Sequence, residues 1–212
     1  MLNNQKAFQF KNTMFRRFVL RVLQLLFHFF AEIEVQNSEN VRMSGAVMLA
    51  ANHVSGYDAV VMQVVIARPL CFMGKAELFR NPIPAWVFNQ LGLFPVKRGE
   101  FDRQSLLNAR YVVQAGLALM IFPEGTRTFG NGMVEARSGT AHLAMRNHCD
   151  IMPIAISGAE NILKKGFKRA QVKIVFGESI TPGENETAQE LTIRMMRAIA
   201  LLLPEDYRGV YA

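Results

Sequence analysis

The chain has 212 residues, half of them apolar, and a formal net charge of +7. This length suits one compact domain with a sizeable core, so no second domain is needed. Cys71 and Cys149 lie far apart, which excludes a disulfide framework and suits a reducing cytoplasm. The four histidines show no ligand spacing with acidic or thiol partners, and we therefore expect no metal ion and no cofactor.

The first 31 residues differ from the rest, because they carry five of the net positive charges and no acidic residue. Residues 15–30 are strongly apolar, yet four polar residues recur at steps of four, three and four and trace one helical stripe: Arg17, Arg21, Gln24 and His28. The longest uncharged stretch, residues 22–31, is far shorter than the ~20 apolar residues that span a bilayer. We expect residues 1–40 to be a basic amphipathic segment that anchors the protein in a membrane interface. A helix packed on the protein's own core is the alternative.

Beyond this segment, short apolar or β-branched runs alternate with helical stretches. The pattern predicts a single α/β layered domain over residues 41–212, with a central mixed sheet flanked by helices. The predicted strands are 47–51, 70–74, 93–97, 117–122, 151–157 and 172–176. The predicted helices are 58–67, 83–91, 102–115, 138–147 and 187–203.

A histidine and an aspartate follow the first predicted strand of this domain, in the string Asn52-His53-Val54-Ser55-Gly56-Tyr57-Asp58. Positions five residues apart point about 140° apart on a helix, so the two side chains can meet only across a bend, which Ser55-Gly56 can supply. Asp58 would then begin a helix and accept a hydrogen bond from the imidazole, leaving the other ring nitrogen as a general base. From these residues alone a simpler interpretation remains. The histidine would only bond a loop carbonyl, and the aspartate would only cap a helix.

Four ordered blocks between residues 45 and 160 resemble the glycerolipid acyltransferase family, to which 1-acylglycerol-3-phosphate acyltransferases belong. The blocks are Asn52-His53 to Asp58, Gly92-Leu93-Phe94-Pro95-Val96-Lys97-Arg98, Phe122-Pro123-Glu124-Gly125-Thr126-Arg127, and Ile151-Met152-Pro153-Ile154-Ala155-Ile156. The resemblance implies an O-acyltransferase of phospholipid biosynthesis, with His53 as general base and Asp58 as its orienting partner. It assigns acceptor binding to Lys97, Arg98, Glu124, Gly125, Thr126 and Arg127.

The resemblance also implies the substrates and the location. The donor would be acyl-CoA or an acyl carrier protein thioester, the acceptor lysophosphatidate, and the product phosphatidic acid. We expect a peripheral, monotopic protein on the cytoplasmic face of a membrane, without nucleic acid partners. The oligomeric state stays open.

Other functions remain open at this point. Glycerol-3-phosphate or another lysolipid could be the acceptor. A lipid hydrolase or thioesterase could use His53 and Asp58 with water or Ser55, although no G-x-S-x-G elbow surrounds that serine. A nonenzymatic basic protein would explain the charge, but it leaves the histidine, the aspartate and the block at residues 122–127 without a role.

Overall fold

The structure, a computed structural model, describes residues 8–97, 102–164 and 168–212. Seven strands form one sheet in the order β1-β7-β6-β2-β5-β3-β4, in which only the β6–β7 pair is antiparallel. The sheet is therefore mixed, as the sequence predicts. The strands are β1 Ala31–Gln36, β2 Val47–Ala51, β3 Leu70–Lys75, β4 Leu93–Val96, β5 Ala118–Ile121, β6 Ile151–Ser157 and β7 Ala170–Phe176.

Helices cover both faces of this sheet, which confirms the predicted α/β layered domain. Val47, Leu49 and Ala51 of β2 point to a core shared with helices α1 and α2, whereas Met48 and Ala50 point to a core shared with α4, α5 and α6. The helices are α1 Met14–Phe30, α2 Asp58–Val65, α3 Pro82–Gln90, α4 Arg103–Gln114, α5 Gly139–Arg146, α6 Ala188–Leu202 and α7 Glu205–Arg208.

Helix α1 begins after Thr13, whose side chain accepts the backbone amide of Arg16, and it presents three different faces. One face contains the buried Phe27 and packs towards α2. The second is the exposed polar stripe that includes Arg17 and Arg21. The third is apolar and exposed, with side chains three or four residues apart: Met14, Phe18, Val22, Leu25 and Phe29. Among the described residues, no helix is long and apolar enough to cross a membrane.

The sequence pattern does not predict strand β1 or the short helix α7. Strand β1 follows α1 without a loop, and its alternation of Glu32 and Glu34 with small or apolar residues leaves it largely exposed at the sheet edge. Its residues pair in parallel with β7, from Ala31 opposite Ala170 to Gln36 opposite Val175. The segment before residue 40, for which the sequence predicts membrane anchoring, thus also contributes a strand to the sheet.

The parallel pairing of β2 with β5 determines where the chemistry-bearing loops lie. Ala50 lies opposite Ile121, so both strands end at the same edge of the sheet. The loop after β2 contains His53 and the loop after β5 contains Glu124. Two blocks about 70 residues apart in sequence are therefore neighbours in space.

Asn52 extends the pairing of β2 with β6 by one side chain. The backbone register ends at Ala51 opposite Ile154. Beyond it, the Asn52 amide donates to the carbonyl oxygen of Ile156 over 2.8 Å, and its carbonyl oxygen accepts the Ile156 amide over 2.8 Å. The buried side chain therefore acts as one further rung of the sheet immediately before His53.

We expect the Asn52→Ala substitution to lower the free energy of unfolding by about 2–4 kcal/mol, because it leaves a buried amide and a buried carbonyl of Ile156 without that partner. Urea denaturation followed by circular dichroism measures the change. The matched control is Asn131→Ala, since the Asn131 side chain is exposed. Equal stability of both variants and the parent protein would contradict the role of this rung.

Candidate active site

The structure brings His53 and Asp58 into direct contact. Nδ1 of His53 lies 2.7 Å from Oδ2 of Asp58, across the bend at Ser55-Gly56. Asp58 is the first residue of α2, and its Oδ2 also accepts the Ser55 amide over 2.8 Å. The carboxylate thus holds both the imidazole and the loop that separates the two residues.

Asp58 is completely buried, whereas the His53 side chain keeps 11% of its surface exposed. Burial raises the pKa of the Asp58 carboxyl, and the hydrogen bonds from His53 and the loop amides oppose that shift only in part. Its Oδ1 has no hydrogen-bond partner among the described residues. Within this pair, the imidazole is the group that a substrate can reach.

Glu124 connects the loop after β5 to the backbone of His53. Its Oε1 accepts the His53 amide over 2.8 Å and its Oε2 accepts the Val134 amide over 3.1 Å. The side chain is only 4% exposed, and burial raises the pKa of its carboxyl. Glu124 therefore contacts the protein backbone through both carboxylate oxygens.

Two further contacts position the imidazole. The ring of Phe122 stacks on the His53 ring, with centroids 4.1 Å apart and planes 14° apart. The His53 carbonyl oxygen accepts hydrogen bonds from the amide and hydroxyl of Thr128. Phe122 is the first residue of the third sequence block, and its stacking on His53 depends on the register of β2 against β5.

The expected acceptor-binding residues lie at two places. Arg127 lies over the His53–Asp58 loop, because a Cβ atom added at Gly56 would be 3.1 Å from its Nη1. Its guanidinium also lies 5.3 Å from the centre of the Phe129 ring. Thr126 is exposed beside it, and Gly125 has a positive φ of 67° in the same turn.

Lys97 follows β4 and lines a cleft of about 1000 Å³, which Gly125 also lines. Arg98, the remaining residue expected to bind the acceptor, lies outside the described residues. The cleft runs between α4 and α5 and reaches Phe122, the residue that stacks on His53. Lys97 and Arg127 therefore lie at different parts of the site.

Ser55 has a structural contact of its own. Its hydroxyl oxygen accepts the Tyr57 amide over 3.2 Å within the bend, and only 5% of the residue is exposed. In the described part of the chain, no hydrogen bond joins Ser55 to the His53 ring. No cluster of three or more histidine, cysteine or acidic side chains that could hold a metal ion occurs within those same ranges.

A model of the acyltransferase family matches residues 32–157, which is more than half of the chain. The chain therefore belongs to the acyltransferase family and is an O-acyltransferase enzyme. A solved structure of a 1-acyl-sn-glycerophosphate (LPA) acyltransferase from Thermotoga maritima has the same fold, with a TM-score of 0.72 and 22% identity, over 87% of this chain and 78% of that one.

The names of two curated relatives state different acceptors. A 1-acyl-sn-glycerol-3-phosphate acyltransferase of Bacillus subtilis is 25% identical over 77% of this chain and 81% of its own length. A lyso-ornithine lipid O-acyltransferase of Pseudomonas aeruginosa is 33% identical over 55% of this chain and 47% of its own length. In the Pseudomonas protein and several other relatives, the matched part spans only 47% to 62% of the relative.

The buried carboxyl of Glu124 gives a prediction about stability and pH. Its pKa is raised in the folded state, so its contribution to stability is fully present below the unfolded pKa of about 4.3 and is lost as the pH rises through the folded pKa. The Glu124→Gln variant cannot ionise. We expect its free energy of unfolding to increase relative to the parent protein as the pH rises above the unfolded pKa, until the carboxyl of the folded parent protein is fully ionised.

Urea denaturation at several pH values measures this difference. The substitution also places a side-chain amide group against the backbone amide of Val134, which lowers the free energy of unfolding. This loss is independent of pH, so it does not change how the difference between the two proteins varies with pH. A difference that stays constant, or that decreases as the pH rises, would contradict the assignment.

Proposed function

We propose that this enzyme transfers a fatty acyl group from an acyl thioester to the free hydroxyl of 1-acylglycerol-3-phosphate, which gives phosphatidic acid. The observation that carries the proposal is the 2.7 Å contact between the reachable His53 ring and the buried Asp58 carboxylate at the carboxyl edge of the sheet. Membership in the acyltransferase family and the name of the Bacillus relative support the reaction and the acceptor.

In the proposed mechanism, Asp58 accepts the hydrogen bond from Nδ1–H of His53, so Nε2 is the basic nitrogen. Nε2 removes the proton from the acceptor hydroxyl as its oxygen attacks the thioester carbonyl carbon. The tetrahedral intermediate then collapses, the carbon–sulfur bond breaks, and the imidazolium returns the proton to the leaving thiolate. The ester and the free thiol are the products.

This mechanism needs no nucleophile from the enzyme, because the acceptor supplies the attacking oxygen. Ser55 would be the alternative nucleophile in a hydrolase or thioesterase. Its hydroxyl accepts a backbone amide inside the bend, which supports a structural role. The amides of His53, Ser55, Tyr57 and Asp58 also donate within the protein, so they are occupied when an oxyanion develops.

Arg127 is the residue that we assign to the acceptor phosphate. Its guanidinium lies over Gly56, between His53 and Asp58 in the chain, and a planar guanidinium can hold two phosphate oxygens at once. Thr126 and Gly125 belong to the same turn, and Lys97 would assist from the cleft that it lines. A role of Arg98 in acceptor binding stays a prediction from the sequence. Glu124 contributes by holding the His53 backbone.

A second candidate acceptor is another lysolipid, which the name of the Pseudomonas relative favours. A lysolipid without a phosphate monoester would make less use of the Arg127 fork, and for this reason we rank lysophosphatidate first. A panel of lysolipids and glycerol-3-phosphate, with product identification, distinguishes these acceptors.

Helix α1 supports a peripheral position on a membrane, which we place at the cytoplasmic face. Its exposed apolar side chains form one stripe, and Arg17 and Arg21 lie beside that stripe, as in helices that lie in the membrane interface. Phe27 on its inner face contacts Tyr57 with ring centroids 6.2 Å apart. Because Tyr57 lies between His53 and Asp58, the helix adjoins the loop that would receive the lipid acceptor.

We expect His53→Ala and Asp58→Asn each to lower kcat for acyl transfer by about 10²–10⁴-fold while the fold is retained, since the first removes the base and the second removes the carboxylate that orients it. Steady-state assays with labelled acyl thioester and lysophosphatidate measure this loss, and circular dichroism checks the fold. Ser55→Ala is the control and should keep substantial activity. Transfer at the parent rate by folded His53→Ala, or an acyl group trapped on Ser55, would overturn the mechanism.

The proposed membrane contact can be tested by changing only the exposed apolar stripe of α1. We expect the combined Phe18→Ser, Leu25→Ser and Phe29→Ser substitutions to weaken binding to anionic vesicles by at least about tenfold, because they remove apolar area from the lipid. Activity on membrane-borne acceptor should fall more than activity on detergent-dispersed acceptor.

Leu201→Ser on α6 is the matched control, since Leu201 is at least as exposed but belongs to the helix layer on the other face of the sheet. Thermal denaturation should give the same midpoint for all these proteins. Vesicle binding that is unaffected by the three α1 substitutions would refute the assignment.

A further inference from the structure

The turn that follows Arg127 has an unusual backbone. Phe129 has a φ of 55°, in the left-handed region that bulky residues rarely adopt, and Gly130 and Gly132 have φ values of 86° and 85°. The ring of Phe129 is 55% exposed, and the guanidinium of Arg127 lies over it. Strained conformations of this kind persist only where the surrounding structure enforces them, and they are concentrated at functional sites. The position of Arg127 therefore depends on what holds residues 128–133.

The turn begins at the reaction centre. The Thr128 amide donates to the His53 carbonyl oxygen over 2.8 Å, and the Asn131 amide donates to the Thr128 carbonyl oxygen over 3.0 Å. These bonds place the start of the turn beside His53. The course of the chain after Asn131 is set by other contacts.

The far end of the turn is held by residues 205–211, which follow α6 and include α7. The Met133 amide donates to the Tyr207 carbonyl oxygen over 3.0 Å, and the Val210 amide donates to the Met133 carbonyl oxygen over 3.0 Å. Both backbone groups of Met133 are thus bound to this segment, and its side chain is buried. The 205–211 segment therefore fixes the point at which the turn ends.

Gly209 allows the two stretches of chain to approach this closely. Its φ of 54° and ψ of −126° lie in a region that is open to glycine. A Cβ atom at Gly209 would overlap the backbone nitrogen and oxygen of Met133, and one at Gly132 would lie 2.8 Å from the Gly209 Cα. Two residues later, the Tyr211 hydroxyl oxygen accepts the Ala136 amide over 3.0 Å. The contact is therefore backbone against backbone and leaves no space for a side chain.

The hydroxyl of Tyr207 connects the same segment to a buried carboxylate beside the turn. It donates to Oε1 of Glu160 over 2.6 Å, and the Asn161 amide group donates to the same oxygen over 3.1 Å. Burial and then this hydrogen bond raise the pKa of the Tyr207 phenol to about 12, so it remains a donor at neutral pH. Glu160 is 8% exposed, and its Cγ lies 3.3 Å from the place of a Cβ atom at Gly130. Tyr207 thus holds Glu160 against the middle of the turn.

We propose that Tyr207 and Gly209 are positioning residues for acceptor binding, because they hold the turn that keeps Arg127 over the His53–Asp58 loop. The inference rests on the proposed function, in which Arg127 binds the acceptor phosphate. Among the described residues that line the cleft between α4 and α5, none belongs to the 205–211 segment. Displacing this segment should therefore weaken acceptor binding and leave the binding of the acyl thioester unchanged.

The first test is the Gly209→Ala variant of the full chain, assayed with detergent-dispersed acceptor. The added Cβ atom must push Met133 away and so displace the turn. We expect the KM for lysophosphatidate to rise at least about fivefold, while the KM for the acyl thioester stays within about twofold. Gly45→Ala is the matched control, since Gly45 also has a positive φ, of 78°, but a Cβ atom there meets nothing within 4 Å. It should leave both constants unchanged.

Tyr207→Phe is the milder variant, because it removes the hydroxyl and keeps the ring. It tests the same role if Gly209→Ala does not fold. We expect a rise of about three- to tenfold in the KM for lysophosphatidate. Tyr111→Phe is its control, since the Tyr111 hydroxyl forms no hydrogen bond in the part of the chain that the structure describes. The kinetic constants of this control should equal those of the parent protein.

A double variant shows whether Gly209 acts through Arg127. Arg127→Gln alone should raise the KM for lysophosphatidate by about ten- to a hundredfold. Adding Gly209→Ala to it should change that constant by less than about twofold, because the contact with phosphate is already lost.

Fold-changes that multiply in the double variant would overturn the proposal. It is also overturned if folded Gly209→Ala and Tyr207→Phe lose stability with both Michaelis constants unchanged, since that result indicates a purely structural role. An unchanged acceptor KM in Arg127→Gln would overturn it together with the assignment of Arg127 to the phosphate. Absence of transfer to lysophosphatidate by the parent protein would overturn the proposed function itself and this inference with it.

Discussion

The site depends on a carboxylate that is buried together with the imidazole it holds. Burying Asp58 is unfavourable in itself, as the raised pKa of its carboxyl indicates, and the hydrogen bonds from His53 and Ser55 offset part of that cost. Glu124 repeats this arrangement on the backbone of His53. Two buried acids therefore hold one histidine, Asp58 through the ring and Glu124 through the backbone amide. This arrangement sacrifices some stability at neutral pH for a ring with one orientation, a trade that is common at catalytic sites.

The two faces of the sheet differ in the surroundings that we propose for them. The exposed stripe of α1 and the loop containing Tyr57 belong to the face that we place at the lipid surface. The cleft between α4 and α5, whose lining includes Arg103, Arg110, Arg137 and Arg146, belongs to the other face. Parallel strands bring the loops after β2 and β5 to one edge of the sheet, and the cleft reaches Phe122 at that edge.

Much of this architecture follows from local sequence patterns. The six predicted strands lie within two residues of the observed ones, because their apolar runs are bounded by turn residues. Strand β1 is not predicted, because its alternating glutamates are typical of a surface segment and it follows α1 without a loop. The contact of His53 with Asp58 is local and follows from the bend between them. Three other features depend on strand register and order, which no local pattern encodes. They are the stacking of Phe122, the burial of Glu124 and the hydrogen bonds of Asn52 with Ile156.

We propose that Asp58 holds His53 as a neutral imidazole with its proton on Nδ1 and a free basic nitrogen at Nε2. Nitrogen-15 NMR of histidine-labelled protein, with His53 assigned by comparison with His53→Gln, measures this protonation state directly. At the pH of maximal transfer, we expect a protonated Nδ1 and an unprotonated Nε2 in the parent protein, and loss of that tautomer preference in Asp58→Asn. A proton on Nε2 of the neutral ring, or an imidazolium at that pH, would contradict this proposal.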